Sequence, residues 1–242
     1  MTPQTSVQLL AALERTGPQP ALAWYGESSR IELSGHVLAN WVIKSIGHFH
    51  DEIALEPGDA VVLDLPPHWK RLVLALAAWS LGAEVTVLDR GSEGEDGPEG
   101  GAAESSPALP PSPRVVATDR PDSPLAADAD EVLAVQPVSL APRFDGELPP
   151  LAHDWVGEVR AHPDQLGVPL PGWSGPSPSV ELPPSDPSEP SAAAPPRLLA
   201  QEDGLTAVPN VLEALLAGGG IVAPAGAVDE RRAADESVTG RA

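Results

Sequence analysis

Apolar and polar positions fall into short blocks along this chain, and most blocks have a readable period. Over residues 5–17, Val7, Leu10 and Leu13, with Leu9, recur at helical spacing. Thr5 is placed to cap this helix, with Gln8 three residues on, and Gly17-Pro18 ends it. Residues 21–25 and 30–33 flank a Gly-Glu-Ser-Ser turn and predict a hairpin. Ser34 then caps a second helix, whose stripe is Val37, Leu38, Trp41, Val42 and Ile46.

The clearest strand covers residues 60–65, between the Pro57-Gly58-Asp59 turn and Pro66-Pro67. A helix over 68–81 follows, closed by Gly82, and a strand over 83–88 comes next. Strand, helix and strand in so short a span make a βαβ unit, so the two strands are parallel and the crossover right-handed. The helix is apolar around most of its girth, which predicts burial on more than one side.

The pattern then breaks. Residues 91–113 are rich in Gly, Pro and Glu, with almost nothing to bury, and read as a flexible acidic loop. A strand resumes at 114–118. Residues 131–135 and 138–140 predict a further strand pair, interrupted by Pro137. Residues 151–161 predict a short helix with Trp155, Val156 and Val159 inward. Ten prolines fall within residues 167–196, which predicts an extended or disordered segment. A helix over 208–217 carries Val208, Val211, Leu212, Leu215 and Leu216 on one face; Gly218-Gly219-Gly220 ends it before a strand at 221–223. From Asp229 onward the chain is polar and reads as a frayed tail.

The expected architecture is therefore α/β, with a mainly parallel sheet flanked by helices and two Pro/Gly-rich insertions. Residues 1–90 and 114–166 form the core, 91–113 a loop, 167–197 a Pro-rich segment, 198–228 the helix–turn–strand that completes the core, and 229–242 the tail.

Composition narrows the function. Among 242 residues, 35 Asp and Glu face 14 Lys and Arg, for a net charge of −21. Such a surface repels phosphate backbones and anionic headgroups, which argues against nucleic-acid binding and polybasic membrane attachment. With no Cys, disulfides, Cys-ligated metals and thiol nucleophiles are excluded. The longest nearly apolar run, residues 72–83, is shorter than the roughly 20 residues that cross a bilayer. No basic region precedes an apolar stretch at the N-terminus, so a cytoplasmic protein is expected. The only lysines are Lys44 and Lys70.

The stretch LEPGDAVVLDLPPHWKRLVLALAAWSLGAEVTVLD resembles the early part of the adenylate-forming superfamily, the AMP-binding acyl-CoA synthetases and adenylation domains. PALAWYGESSRIELSGHVLANWV is similar to that family's opening hairpin and first helix, and NVLEALLAGGGIVAP to a later helix and Gly-rich turn. The likeness covers residues 5–90 well and 205–225 weakly, and implies part of the family's N-terminal domain. The family also implies a Ser/Thr- and Gly-rich phosphate loop ending in Pro-Lys, a C-terminal lysine, and Tyr-Gly-x-Thr-Glu and Thr-Gly-Asp motifs. None of these is found here: no lysine follows Lys70, and Tyr25 is the only tyrosine. Acyl adenylation needs cations to offset charge as pyrophosphate leaves. The expectation is a catalytically incomplete, bacterial AMP-binding-like protein that binds a ligand or partner. The alternatives are a split acyl-activating subunit that borrows lysines, and a homo-oligomeric interaction protein. No cofactor is expected, and the partner is a protein, a second copy, or a nucleotide or acyl ligand.

The candidate chemistry is sparse, and no catalytic or metal-ligating residue is assigned. Gly218-Gly219-Gly220 could cradle a phosphate, but it follows a helix C-terminus, the wrong end of the dipole. His48, His50 and Asp51 could ligate a metal, yet on a helix i and i+2 point apart. Gly172-Trp173-Ser174-Gly175 lacks the second Gly of a nucleophile elbow, since position 176 is Pro. His153, Asp154, Glu158, His162 and Asp164 offer acid–base groups near one helix, or a solvated charged face. The Pro-x-x-Pro spacings at 184–190 read as spacer. Trp24, Trp41, Trp69, Trp79 and Trp155 read as core, whereas Trp173 either docks back on the domain or anchors a partner.

Overall fold

The computed structural model describes residues 4–26, 29–88, 109–138, 140–178 and 194–242. Helix α1 (Gln4–Thr16) leads into the expected hairpin, β1 (Pro20–Tyr25) and β2 (Arg30–Ser34), and then α2 (Gly35–Asp51). Ser34 caps α2 by accepting from the Val37 amide. Next come β3 (Ala60–Asp64), α3 (Trp69–Ser80) and β4 (Glu84–Val87). Strands β3 and β4 are parallel, as the βαβ reading requires. They are followed by β5 (Val115–Thr118), α4 (Pro124–Ala127), β6 (Glu131–Ala134), β7 (His153–Asp154) and α5 (Trp155–Val159). The chain closes with β8 (Arg197–Leu199), α6 (Val208–Leu216), β9 (Gly220–Ala223), α7 (Glu230–Asp235) and β10 (Gly240–Arg241).

The described strands form two five-stranded sheets where one was expected. The first runs β10-β8-β9-β1-β2, parallel except for the β1–β2 hairpin. The second runs β4-β3-β5-β6-β7 and is parallel throughout. Local periodicity cannot separate them, because β1 takes β9 as its second neighbour from the far end of the chain. Helices α1, α2 and α6 pack on the first sheet, α3 on the second, and α2 on α3. One continuous apolar core fills the space between. Every residue of α3 is buried, as its all-round apolar sequence predicts. At the α1–α2 crossing a side chain on Gly35 would meet the Leu13 carbonyl at 2.3 Å, so only Gly fits there. No described helix is long and apolar enough to cross a membrane.

Four local expectations are corrected. Thr5 lies inside α1 and does not cap it. Val37 points to solvent, while Ala39, Ile43 and Phe49 complete the buried face of α2. Among the described residues of 131–140 there is one strand, not two: Val138 and Leu140 are exposed past Pro137, and β6 pairs with β5 and β7. The helix expected over 151–161 begins only at Trp155, because Asp154 caps it by accepting from the Gly157 amide. Its inward residues are the expected three.

The polar tail is a fifth and larger correction. Asp229 caps α7 through the Arg232 amide, and β10 adds to the edge of the first sheet beside β8. Polar composition misleads here because the segment is held by ion pairs and backbone hydrogen bonds. The acidic loop falls outside the described residues from 89 to 108, and the Pro-rich segment from 179 to 193; the described parts at 109–113, 167–178 and 194–196 have no regular secondary structure.

Candidate functional site

Ligands of open α/β sheets gather outside the carboxyl ends of the parallel strands. In the first sheet β1 ends at Tyr25 and β9 at Ala223, and a cleft of about 630 Å³ opens beside them. Its wall includes Tyr25, Arg30, Pro224, Gly226, Ala227 and Arg232. Among the described lining residues the charged ones are both arginines, in a chain of net charge −21. The guanidinium of Arg232 lies 5.4 Å from the Tyr25 ring centre and that of Arg30 lies 6.0 Å from it. Both guanidiniums lie over one ring as planar donors of the kind that grip phosphate or carboxylate, and each already makes one further contact within the chain, Arg30 Nη2 donating to Glu32 and Arg232 Nη1 to the Ala227 carbonyl.

Glu236 braces the wall from behind. Its Oε1 accepts from the Tyr25 hydroxyl at 2.8 Å and from Arg30 Nε at 2.5 Å, and its Oε2 accepts from Arg197 Nη2 at 2.7 Å. Burial would raise the Glu236 carboxyl, but these donors outweigh it and pull it down to about 2. The same contact with Glu236 raises Arg30 against burial, and burial together with Glu236 raises the Tyr25 hydroxyl. A second cleft of about 610 Å³ shares Arg30 and reaches Arg197 and Gly218–Gly220, but Glu32, Asp235 and Glu236 make its wall acidic on balance.

The three glycines are not a phosphate cradle. Their amides donate to Leu215, Ala214 and Pro196 carbonyls, so none is left to face a ligand. Neither lysine lines either of these two clefts. Lys70, on α3, is 1 % exposed; its Nζ donates to the carbonyls of Gln136 at 2.6 Å and Val138 at 2.8 Å. Burial, helped by Arg160, lowers this ammonium to about 8. Lys44 donates to the Arg160 and His162 carbonyls and pairs with Asp164 at 2.8 Å.

Of the acid–base candidates, the structure gathers two around a third residue from a different segment. His48, wholly buried on the last turn of α2, faces Glu158 with Nε2–Oε2 at 3.0 Å. His153 faces the same oxygen, with Nδ1–Oε2 at 2.6 Å, and turns its Nε2 to Glu131 at 3.5 Å. The His162 ring stands edge-on to His48 at 5.5 Å. Burial lowers His48, and the two imidazoles lower Glu158 against its own burial. His50 points away and pairs with Asp51, as helical spacing requires. Asp154 serves as a cap, and Asp164 holds Lys44.

Ser174 is a fastener, donating to the Ala83 carbonyl at 2.6 Å. Trp173 docks back: it is 4 % exposed, and its ring packs on Trp79 at 5.6 Å. The other tryptophans are core or packed against it. The Pro-x-x-Pro spacings lie outside the described residues. Sequence reasoning missed Arg30, Arg232 and Glu236. The pattern from Asp229 to Asp235, a capping residue before a helix-forming run, is a signal that could have found α7.

No protein-family model matches the chain. A TIGR03089 family protein of Mycobacterium tuberculosis is 32 % identical over 169 residues, which is 68 % of this chain and 63 % of that relative. The chain therefore spans somewhat less than two thirds of its relative's length. Among solved structures, the acetoacetyl-CoA synthetase of Streptomyces lividans superposes with a TM-score of 0.58 at 18 % identity, over 90 % of this chain and 38 % of that one. An acyl-CoA synthetase of Brucella canis gives a TM-score of 0.46 at 18 % identity, over 65 % of this chain and 28 % of that one. The resemblance expected from the sequence holds at the level of fold: the chain folds as part of the N-terminal domain of an adenylate-forming enzyme does.

Proposed function

We propose that this chain is a catalytically incomplete, acyl-CoA-synthetase-like binding module. It takes a small anionic ligand, a nucleotide or a phosphate-bearing acyl compound, in the cleft between Arg30 and Arg232, and does not activate a carboxylate. The observation that carries the reading is the state of the two lysines. Both ammonium groups are spent on backbone carbonyls, and Lys44 also on Asp164. Neither is offered to a triphosphate, and the loss of pyrophosphate requires positive charge already placed at the reacting atoms. Arg71 is likewise tied to Asp203. A cleft of about 630 Å³ lies within the usual span of small-molecule sites, roughly 300–1,000 Å³.

The test has two arms. Pyrophosphate exchange with ATP, Mg²⁺ and a panel of carboxylates stays at background; turnover by the chain alone overturns catalytic incompleteness. Thermal-shift titration with nucleotides and acyl-CoAs gives a saturable rise that follows RT ln(1 + [L]/Kd) for at least one class. Arg232→Gln weakens that ligand by about 10-fold, the scale of one charge-assisted hydrogen bond. A flat response to every anion overturns the binding reading.

A further inference from the structure

The geometry points to a divalent metal site at His48, His153 and Glu158, and we propose that it takes a Zn²⁺-class cation. It involves other residues than the arginine-lined cleft, and the proposal stands independently of the function assigned to that cleft. One donor atom from each of the three residues lies within 4.8 Å of the others. Both imidazoles converge on one carboxylate oxygen, at 3.0 and 2.6 Å. In the metal-free chain each contact needs a proton between nitrogen and oxygen. A single cation replaces both protons, and tetrahedral bonds of about 2.0–2.1 Å, with donors roughly 3.3 Å apart, require the two nitrogen–oxygen contacts to open by about 0.3 and 0.7 Å.

Three features favour a metal over a plain hydrogen-bonded triad. First, His153 presents Nδ1 to the site while its Nε2 faces the Glu131 carboxylate at 3.5 Å. Glu131 thus sits beside the outer ring nitrogen, where a modest approach would complete the carboxylate–histidine–metal arrangement that orients a ligating imidazole. Second, His48 is wholly buried with its Nε2 aimed at the cluster, 3.0 Å from Glu158, and its Nδ1, which has no hydrogen-bond partner, carries the ring proton when Nε2 ligates, a cost that the metal bond must offset. The ring is thus held by packing and by the converging cluster alone. Third, the site is open on one side, because the Glu158 side chain is 41 % exposed and that of His153 is 20 % exposed. A cation can enter there, and water can fill the remaining coordination positions. Two imidazoles and one carboxylate suit Zn²⁺ and its borderline neighbours, whereas Mg²⁺ and Ca²⁺ prefer all-oxygen shells. The sequence could not show the set, because His48 and Glu158 are 110 residues apart.

The full chain, stripped with a chelator, is titrated calorimetrically with ZnCl₂ and, separately, MgCl₂. The expected result is one Zn²⁺ per chain and no saturable Mg²⁺ signal. His153→Gln and Glu158→Gln each weaken Zn²⁺ by at least roughly 10-fold, and Glu131→Gln, which acts through His153, by about 10-fold. His50→Gln, on an exposed neighbour paired with Asp51, leaves the affinity in place. Co²⁺ loaded into the unaltered chain gives the intense visible bands of a low-coordinate nitrogen–oxygen site, a readout that needs no variant to fold. Absence of stoichiometric Zn²⁺ binding, Zn²⁺ affinity that survives both His153→Gln and Glu158→Gln, or a weak octahedral Co²⁺ spectrum overturns the proposal.

Discussion

Arg71 on α3 and Asp203, in the loop after β8, meet as a buried two-pronged pair, with Nε–Oδ2 at 2.5 Å and Nη2–Oδ1 at 3.0 Å. The contact joins a helix packed on the second sheet to a loop that leaves the first. Asp203 also accepts from the His68 and Leu205 amides, so it ends up fully employed in the interior. Asp203→Ala strands the guanidinium and is expected to cost about 3–5 kcal/mol. Glu202, 3.1 Å from Arg71 Nη2, holds the loss toward the lower end. Urea unfolding at neutral pH measures it.

Glu236 sets an acid limb. Its carboxyl is held down to about 2, against 4.5 when free, so the unfolded chain binds the proton first as pH falls. The stabilisation is complete above pH 4.5 and is lost between 4.5 and about 2. Glu236→Gln removes it at all pH, on the order of 3 kcal/mol, and flattens this part of the stability–pH curve. Denaturation midpoints across pH 2–6, compared between the two proteins, check the sign.

Lys70 sets an alkaline limb of opposite location. Burial lowers its ammonium from 10.5 to about 8, so between these values the unfolded chain carries the extra proton. Stability contributed by this group therefore rises with pH from about 8 to 10.5. Lys70→Met, which keeps the volume, abolishes that rise. The measurement is the difference in unfolding free energy between wild type and variant over this interval, and an unchanged slope contradicts it.

Trp173 pins the irregular segment 167–178 over Trp79. Its Nε1 donates to the Pro176 carbonyl at 3.1 Å, and Ser174 ties the same segment to the end of α3 and the start of β4. Trp173→Ala is expected to cost roughly 3 kcal/mol and to open residues 167–178 to protease. Gly175→Ala tests the contact from the other side, because its new methyl meets Trp79 Cδ2 at 2.5 Å.

The elements legible in the sequence were those whose signals are local. Ser34 capping α2, Pro66 and Gly82 bracketing α3, and the inward Trp155, Val156 and Val159 all follow from spacing within one or two turns. What was not legible depends on partners far along the chain. Whether a strand near residue 22 joins one sheet or another is decided by Ile221 beside Leu22, not by either neighbourhood. Glu236 looks like tail polarity until Arg30 and Arg197 are brought to it. The histidine cluster failed for the same reason: the sequence offered His50 and Asp51 as neighbours of His48, and the fold supplied His153 and Glu158. The glycine cradle, by contrast, could be rejected from helix polarity alone.

The burial of α3 on every side has a consequence for exchange with heavy water. Amides from residue 73 to 80 sit in a helix that neither sheet can uncover alone without breaking the shared core. Their deuterium uptake then reports the opening of the whole molecule, and the slowest of these protons reads out its global unfolding free energy without denaturant.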